Sequence, residues 1–169
     1  MLKTPLKKLR RSRCNVISYI MLIVITYLIN FFFFFPVAGL IWAIVVSGLY
    51  GVKSFFFLMA WCSSPGYLVR SRKLPLLTLA QIVDGNRICP TCQVIRTSRA
   101  RHCNVCDMCV ERYDHHCPWI NNCVGARNHN YFLGFIFSLT LYIFSIIGLL
   151  IDCYLVEYQM SSDFVIPFV

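Results

Sequence analysis

The chain has 169 residues, of which 58% are hydrophobic and only 14% are charged. An average soluble domain is about one quarter charged, so this composition excludes an ordinary soluble globular protein, a disordered chain and a collagen-like repeat. Sixteen Lys and Arg against seven Asp and Glu give a formal charge of +9, and the chain also carries ten Cys.

Two membrane spans are predicted between residues 16 and 62. No charged residue occurs from position 14 to position 52, and a single helix of that length is about twice as long as the hydrocarbon core of a bilayer is thick. The chain must therefore fold back. Pro36 and Gly39 mark the predicted turn between a span over residues 16–35 and a span over residues 37–62.

Lys53 interrupts the second predicted span and leaves two interpretations open. In the first, its ammonium group snorkels to the lipid headgroups from a tilted helix. In the second, the span ends near Gly51 and residues 55–61 lie in the membrane interface. We prefer the first interpretation.

A third uncharged run covers residues 131–151 and is about 31 Å long as a helix, which is enough for one crossing. The predicted fold is therefore an all-α multi-pass membrane protein with three transmembrane helices. The loop between the second and third helices, residues 63–130, carries a small Cys-rich domain with its core at 89–128. A tail of residues 152–169 follows the third helix.

The basic residues set the predicted topology. Residues 1–15 carry six Lys and Arg and residues 63–130 carry nine, whereas residues 152–169 carry none and hold three acidic residues. Because positively charged loops stay in the cytosol, we expect the N-terminus and the Cys-rich loop to be cytosolic. The tail is then lumenal or extracellular.

The Cys-rich segment indicates metal binding. Seven of the ten Cys and three of the four His lie between positions 89 and 123. Disulfides are disfavoured in a cytosolic segment, whereas CxxC pairs present two thiolates to a metal. Two closed zinc sites take eight of these ten side chains and leave one Cys and one His, the minimum for a nucleophile and its base. Asp114 is available to orient the imidazole.

The spacing does not fit a nucleic-acid-binding zinc finger, which needs about twelve residues between its CxxC pair and its first His. Asp114-His115-His116-Cys117 within this array instead resembles the DHHC protein S-acyltransferases, or palmitoyltransferases. The similarity continues to Asn128 and Phe132. With the predicted spans, it covers roughly residues 15–151.

The resemblance implies a role for each residue of the array. In that family each of two interleaved structural zinc ions is bound by three Cys and one His, here Cys89, Cys92, His102 and Cys109 for the first and Cys103, Cys106, His116 and Cys123 for the second. The catalytic triad is then Asp114, His115 and Cys117. Spacing alone leaves His115 and His116 as nearly equal candidates for the second zinc ion, and the resemblance favours His116.

The resemblance also implies the partners. These are acyl-CoA, membrane lipid and substrate proteins with juxtamembrane cysteines, and no nucleic acid is expected. Four basic side chains are candidates for the CoA phosphates, namely Arg96, Arg99, Arg101 and Arg127. The alternative is a solvated or headgroup-facing basic surface. The expected location is a Golgi, endoplasmic reticulum or plasma membrane.

The sequence departs from the family pattern in two places. Ser64-Pro65-Gly66 stands where the family has Asp-Pro-Gly, and no fourth span with a Thr-Thr-x-Glu motif is present. We therefore expect a truncated chain. Two functions remain open: a protein S-acyltransferase working through an acyl-Cys117 intermediate, or a catalytically inactive zinc-binding membrane adaptor.

Overall fold

The structure is a computed structural model that describes Ile17, residues 20–69 and residues 87–165. The predicted basic N-terminus at residues 1–15 lies outside the described residues, as does most of the loop that precedes the Cys-rich array. The chain divides into two compact units, residues 1–54 with 136–169, and residues 55–135.

Three helices account for the apolar segments. Residues 20–29 form α1, a π-helical turn follows at Asn30–Phe34, α2 spans Phe35–Cys62 and α3 spans His129–Val165. Gly39, with φ 70° and ψ 165°, breaks the helical geometry inside α2, at the predicted turn. The chain folds back there, as shown by the hydrogen bond of 2.6 Å that the Tyr50 hydroxyl donates to the main-chain oxygen of Ile23.

Two of these helices are long and apolar enough to cross a membrane, and they cover Gly39–Cys62 and His129–Gln159. The described part of the first predicted span is a shorter apolar helix, Ile20–Phe32. Three transmembrane helices are therefore not confirmed. α3 also continues beyond the predicted end of its span at residue 151.

Lys53 follows neither interpretation completely. The helix continues through it to Cys62, as the preferred interpretation predicts. The Lys53 side chain is only 9% exposed, however. Its Nζ lies 4.1 Å from the ring centroid of Tyr50 and 5.2 Å from that of Tyr142. The ammonium group therefore packs against two aromatic rings within the unit of residues 1–54 and 136–169.

The Cys-rich segment corrects the all-α prediction. It folds into three antiparallel two-stranded β-hairpins, each made of two consecutive strands. The strands are β1 Ile88–Cys89, β2 Val94–Ile95, β3 Arg101–Cys103, β4 Met108–Val110, β5 His115–Cys117 and β6 Asn122–Val124. Strands this short bury little apolar surface, so side chains at the turns must supply the stability.

Candidate metal centres and thiol site

The three hairpins repeat the same local design at an interval of 14 residues. Cys89, Cys103 and Cys117 each end the first strand of a hairpin. The residue just before each second strand has a positive φ, at 54° for Gln93, 55° for Asp107 and 45° for Asn121. This repeat was not predicted, although the equal spacing of these three cysteines in the sequence carries it.

The turns of the first two hairpins each add a second cysteine, and the third does not. Cys92 and Cys106 lie three residues after the first cysteine of their hairpins, and the Cys106 main-chain N–H donates to the Cys103 sulfur at 3.4 Å. At the equivalent position of the third hairpin lies Ile120, which is only 1% exposed. The third hairpin therefore offers one thiol where the others offer two.

The first cluster combines the Cys pair of the first hairpin with a cross-strand pair of the second. His102 and Cys109 face each other across β3 and β4. His102 Nδ1 lies 3.7 Å from the Cys89 sulfur, 3.2 Å from that of Cys92 and 3.9 Å from that of Cys109.

The second cluster is built in the same way, one hairpin further along. His116 and Cys123 face each other across β5 and β6. His116 Nδ1 lies 3.8 Å from the Cys103 sulfur, 3.5 Å from that of Cys106 and 3.7 Å from that of Cys123. The structure thus brings His116, and not His115, to this cluster.

Both clusters fit a structural zinc ion. The four ligand atoms of each lie within 4.8 Å of one another. Tetrahedral zinc with Zn–S bonds of about 2.3 Å and Zn–N bonds of about 2.0 Å separates its ligand atoms by about 3.5–3.8 Å, close to the distances above. Since each cluster joins one hairpin to the next, two zinc ions would tie all three hairpins into one unit.

Burial and neighbouring sulfurs disfavour the thiolate form at two of the cluster cysteines. Burial raises the pKa of the Cys109 thiol, with nearby sulfurs adding to the effect. The neighbouring Cys106 thiol and burial together raise the pKa of Cys123. Without a positive charge these sulfurs stay protonated, and a bound zinc ion supplies the charge that stabilises the thiolates.

Polar groups outside the clusters orient the ligands. The Asp107 carboxylate lies 3.5 Å from His102 Nε2, the ring nitrogen that faces away from the cysteines. The Tyr67 hydroxyl lies 3.7 Å from the Cys106 sulfur and donates to the Asn122 side-chain oxygen at 3.1 Å. Such partners fix the tautomer and the direction of metal ligands.

Cys117 lies outside both clusters and is 5% exposed. Because side chains alternate along a strand, His115 and Cys117 share one face of β5 while His116 points to the other. Asp114 Oδ1 lies 3.7 Å from His115 Nδ1. Within residues 87–165, no hydrogen bond joins His115 to Cys117, so these three predicted residues share one hairpin without a formed hydrogen-bond chain.

The four candidate phosphate-binding arginines lie on different elements. Arg96 follows β2, Arg99 and Arg101 lie at or before the start of β3, and Arg127 lies in the turn before α3. The main-chain oxygen of Arg99 accepts a hydrogen bond of 3.1 Å from the Tyr113 N–H. In the described part of the chain, Arg99, Arg101 and Arg127 are exposed and form no ion pair.

Two buried asparagines with no predicted role connect the hairpins to the end of α2. The Asn122 side-chain amide lies 3.2 Å from the Trp61 oxygen and 3.0 Å from the Ser63 oxygen. The Asn128 amide donates to the Ala60 oxygen at 3.2 Å and to the Cys123 oxygen at 2.8 Å. The last carbonyls of a helix have no partner within it, so these two amides satisfy groups that are otherwise unpaired.

Comparison with known proteins gives a family match over the part of the chain that holds both clusters. A family model described as DHHC palmitoyltransferase matches residues 82–169, more than half of the chain. Palmitoyltransferase ZDHHC4 of Bos taurus is 42% identical over 94 residues, which is 53% of this chain and 27% of that protein.

Two further relatives show similar coverage. Palmitoyltransferase Hip14 of Drosophila melanogaster is 41% identical over 90 residues, which is 49% of this chain and 14% of that protein. Palmitoyltransferase ZDHHC9 of Homo sapiens is 56% identical over 62 residues, which is 35% of this chain and 17% of that protein. The chain thus spans less than a third of the length of each of these relatives.

Proposed function

The chain belongs to the DHHC palmitoyltransferase family, and from this premise we propose that it carries the acyl-accepting centre of a protein S-acyltransferase. In this proposal Cys117 takes a fatty acyl group such as palmitoyl from acyl-CoA and passes it to a cysteine of a target protein. Three relatives that match about a third to a half of the chain bear the name palmitoyltransferase, which supports the reaction class.

One observation carries the assignment of the nucleophile. Of the seven cysteines between positions 89 and 123, six belong to the two metal clusters and Cys117 does not. Its hairpin is nevertheless held in place, because His116 and Cys123 of the same hairpin belong to the second cluster. Cys117 is thus a free sulfur at a fixed position, which is what a covalent catalyst requires.

The first half-reaction is an acyl transfer to sulfur. His115 accepts the proton of the Cys117 thiol, and the resulting thiolate attacks the carbonyl carbon of the acyl-CoA thioester. As the carbon–sulfur bond to CoA breaks, the departing CoA sulfur takes the proton from His115. Asp114 would stabilise the imidazolium that forms between these two steps.

The second half-reaction mirrors the first. A thiol of the target protein gives its proton to His115 and attacks the carbonyl carbon of acyl-Cys117. The Cys117 sulfur leaves and recovers the proton, and the target carries the acyl group. One thioester replaces another in each step, so positioning and the supply of a thiolate contribute most of the catalysis.

When bound, zinc supplies structural cross-links that hold the hairpins together and takes no part in the bond exchange. In this proposal the two ions are bound by the residues of the two clusters. Arg96, Arg99, Arg101 and Arg127 are proposed to contact the CoA phosphates, since guanidinium groups suit phosphate oxygens.

The two candidate membrane helices and the charge distribution support a membrane location. We propose that the Cys-rich unit faces the cytosol, where acyl-CoA is available, and that the chain resides in a Golgi, endoplasmic reticulum or plasma membrane. A long acyl chain partitions into the bilayer with about 0.8 kcal/mol per buried methylene, so the substrate concentrates beside the enzyme.

The test uses the full chain in lipid nanodiscs with labelled palmitoyl-CoA. We expect hydroxylamine-labile label on the wild type and on Cys62→Ser, which removes an exposed cysteine outside the array. Cys117→Ser is expected to remain unlabelled. A wild type that retains both zinc ions but takes no label contradicts the transferase and favours the second candidate, the zinc-binding membrane adaptor.

A further inference from the structure

The Asp114 carboxylate lies between two histidines. Its Oδ1 is 3.7 Å from His115 Nδ1, and its Oδ2 is 3.7 Å from His129 Nε2. The side chains of Asp114, His115 and His129 are 52%, 44% and 43% exposed. In the described part of the chain the Asp114 carboxylate has these two partners only, one on each oxygen.

Rigid backbone places His129 beside Asp114. The Asp114 N–H donates to the Val124 oxygen at 3.0 Å, and the His129 N–H donates to the Gly125 oxygen at 3.1 Å. Both residues are thus held by adjacent residues at the end of β6. The Asn128 side chain fixes the same point by accepting the Gly125 N–H at 2.9 Å.

Gly125 makes this arrangement possible. A Cβ atom at this position would lie 2.5 Å from the Pro65 oxygen and 2.6 Å from a Val110 methyl group. The backbone that carries His129 out of the third hairpin is therefore packed too closely to shift. This packing fixes the backbone positions from which the Asp114 and His129 side chains approach each other, and their rotamers set the final separation of 3.7 Å.

A carboxylate that orients a histidine must itself be oriented. The terminal torsion of an Asp side chain is broad and has no sharp preferred angle, so an Asp with one partner can turn its second oxygen away. A partner on Oδ2 restricts that rotation and leaves Oδ1 directed at His115. A neutral imidazole protonated on Nε2 donates one hydrogen bond and serves this purpose.

We propose that His129 is a positioning residue for acyl transfer, which donates from Nε2 to Asp114 Oδ2 and so holds Oδ1 towards His115 Nδ1. The inference rests on the proposed function of Cys117 and His115. The separations of 3.7 Å exceed hydrogen-bond length, and we expect both to shorten when acyl-CoA binds, as catalytic contacts often do.

The test measures single-turnover acylation of Cys117 by labelled palmitoyl-CoA, with the full chain in nanodiscs. We expect His129→Ala to lower the rate constant about 10- to 100-fold, the range that misplacement of a reacting group produces. The palmitoyl-CoA concentration at half-maximal rate is expected to stay the same. His129→Gln places an amide N–H near the same point and is expected to restore most of the rate.

Asn130→Ala is the matched control, since Asn130 is exposed in the same first turn of α3. A combination of variants tests whether His129 acts through Asp114. If it does, His129→Ala slows Asp114→Asn no further, because the group that His129 positions is already lost. Zinc content is measured on every variant, so that a folding defect is recognised by loss of metal.

The outcomes separate the two claims. A labelled wild type with an unchanged rate in His129→Ala overturns the inference and leaves the proposed function standing. Full additivity of His129→Ala with Asp114→Asn also overturns it, since His129 then acts independently. If the wild type takes no label, both claims fail. If His129→Ala loses zinc, the His129→Gln variant replaces it in the test. A His129→Gln variant that keeps zinc but is as slow as Asp114→Asn overturns the inference. A His129→Gln variant that keeps zinc and reacts near the wild-type rate supports it.

Discussion

Ile120 lies three residues after Cys117, at the turn position where the first two hairpins carry a clustered cysteine, and it is 1% exposed. The first two hairpins each give their Cys pair to a cluster that the following hairpin completes. After the third hairpin the chain enters α3, so Cys117 has neither a second thiol nor a following His–Cys pair. Both absences keep this sulfur out of the metal clusters.

Replacing Ile120 by Cys recreates the missing pair of thiols. We expect Ile120→Cys to bind additional zinc through Cys117 and the new thiol, because two thiolates three residues apart chelate the ion. Acyl labelling of Cys117 then falls in proportion to added zinc. Zinc per chain and hydroxylamine-labile label are measured together, with Ile120→Val as a control of similar volume. Labelling in Ile120→Cys that is insensitive to zinc contradicts this explanation of the free thiol.

The cluster assignment predicts different metal contents for two cysteine variants. Cys103→Ser removes a ligand of the second cluster, whereas Cys117→Ser removes a sulfur outside both clusters. We expect Cys117→Ser to retain both zinc ions and Cys103→Ser to lose one. Atomic emission on purified protein gives the count. Loss of zinc from Cys117→Ser would mean that Cys117 is a zinc ligand and would overturn its assignment as the free thiol.

The Asn128 amide is predicted to be a large source of stability for residues 55–135. Asn128→Leu leaves the Ala60 and Cys123 oxygens and the Gly125 N–H without their partner. A buried polar group without a partner costs about 1–3 kcal/mol, so we expect a loss of about 2–5 kcal/mol in the free energy of unfolding. Denaturant unfolding measures it. Asn130→Leu changes an exposed neighbour, and an equal loss there would refute the role of Asn128.

The buried ammonium group of Lys53 is predicted to lower the thermal stability of the protein. A desolvated cation–π contact contributes about 2 kcal/mol, whereas burying an ammonium ion costs several kcal/mol. No Asp or Glu lies within residues 37–62 or 131–151 to offset this cost. We therefore expect Lys53→Met to raise the midpoint of thermal unfolding in detergent. A lower midpoint would mean that a counter-charge reaches Lys53, and Lys53→Gln then shows whether charge or hydrogen bonding is responsible.

Much of the site could be predicted because metal chemistry depends on residue type and spacing. Ten Cys and His side chains against eight zinc ligands indicate a free thiol and a free imidazole without any structure. Similarity to the family then divides the ligands into two groups, and the structure gathers those same residues. The β-hairpins that overturn the all-α prediction could not be predicted from the sequence, since strands of two or three residues are too short to show an alternation of polar and apolar residues.

The sequence by itself was enough to predict the types and number of candidate zinc ligands, the apolar helices and a Cys left over from the ligand count, since each depends on local chemistry or hydrophobic length. Spacing alone left His115 and His116 open and the resemblance favoured His116; the structure adds that His116 lies on the strand face that opposes Cys123. Tertiary contacts also buried Lys53 against two tyrosines and brought His129 to Asp114. In each of these cases the strand register or the packing of the helices decides which groups meet, and neither can be read from residue type and local spacing.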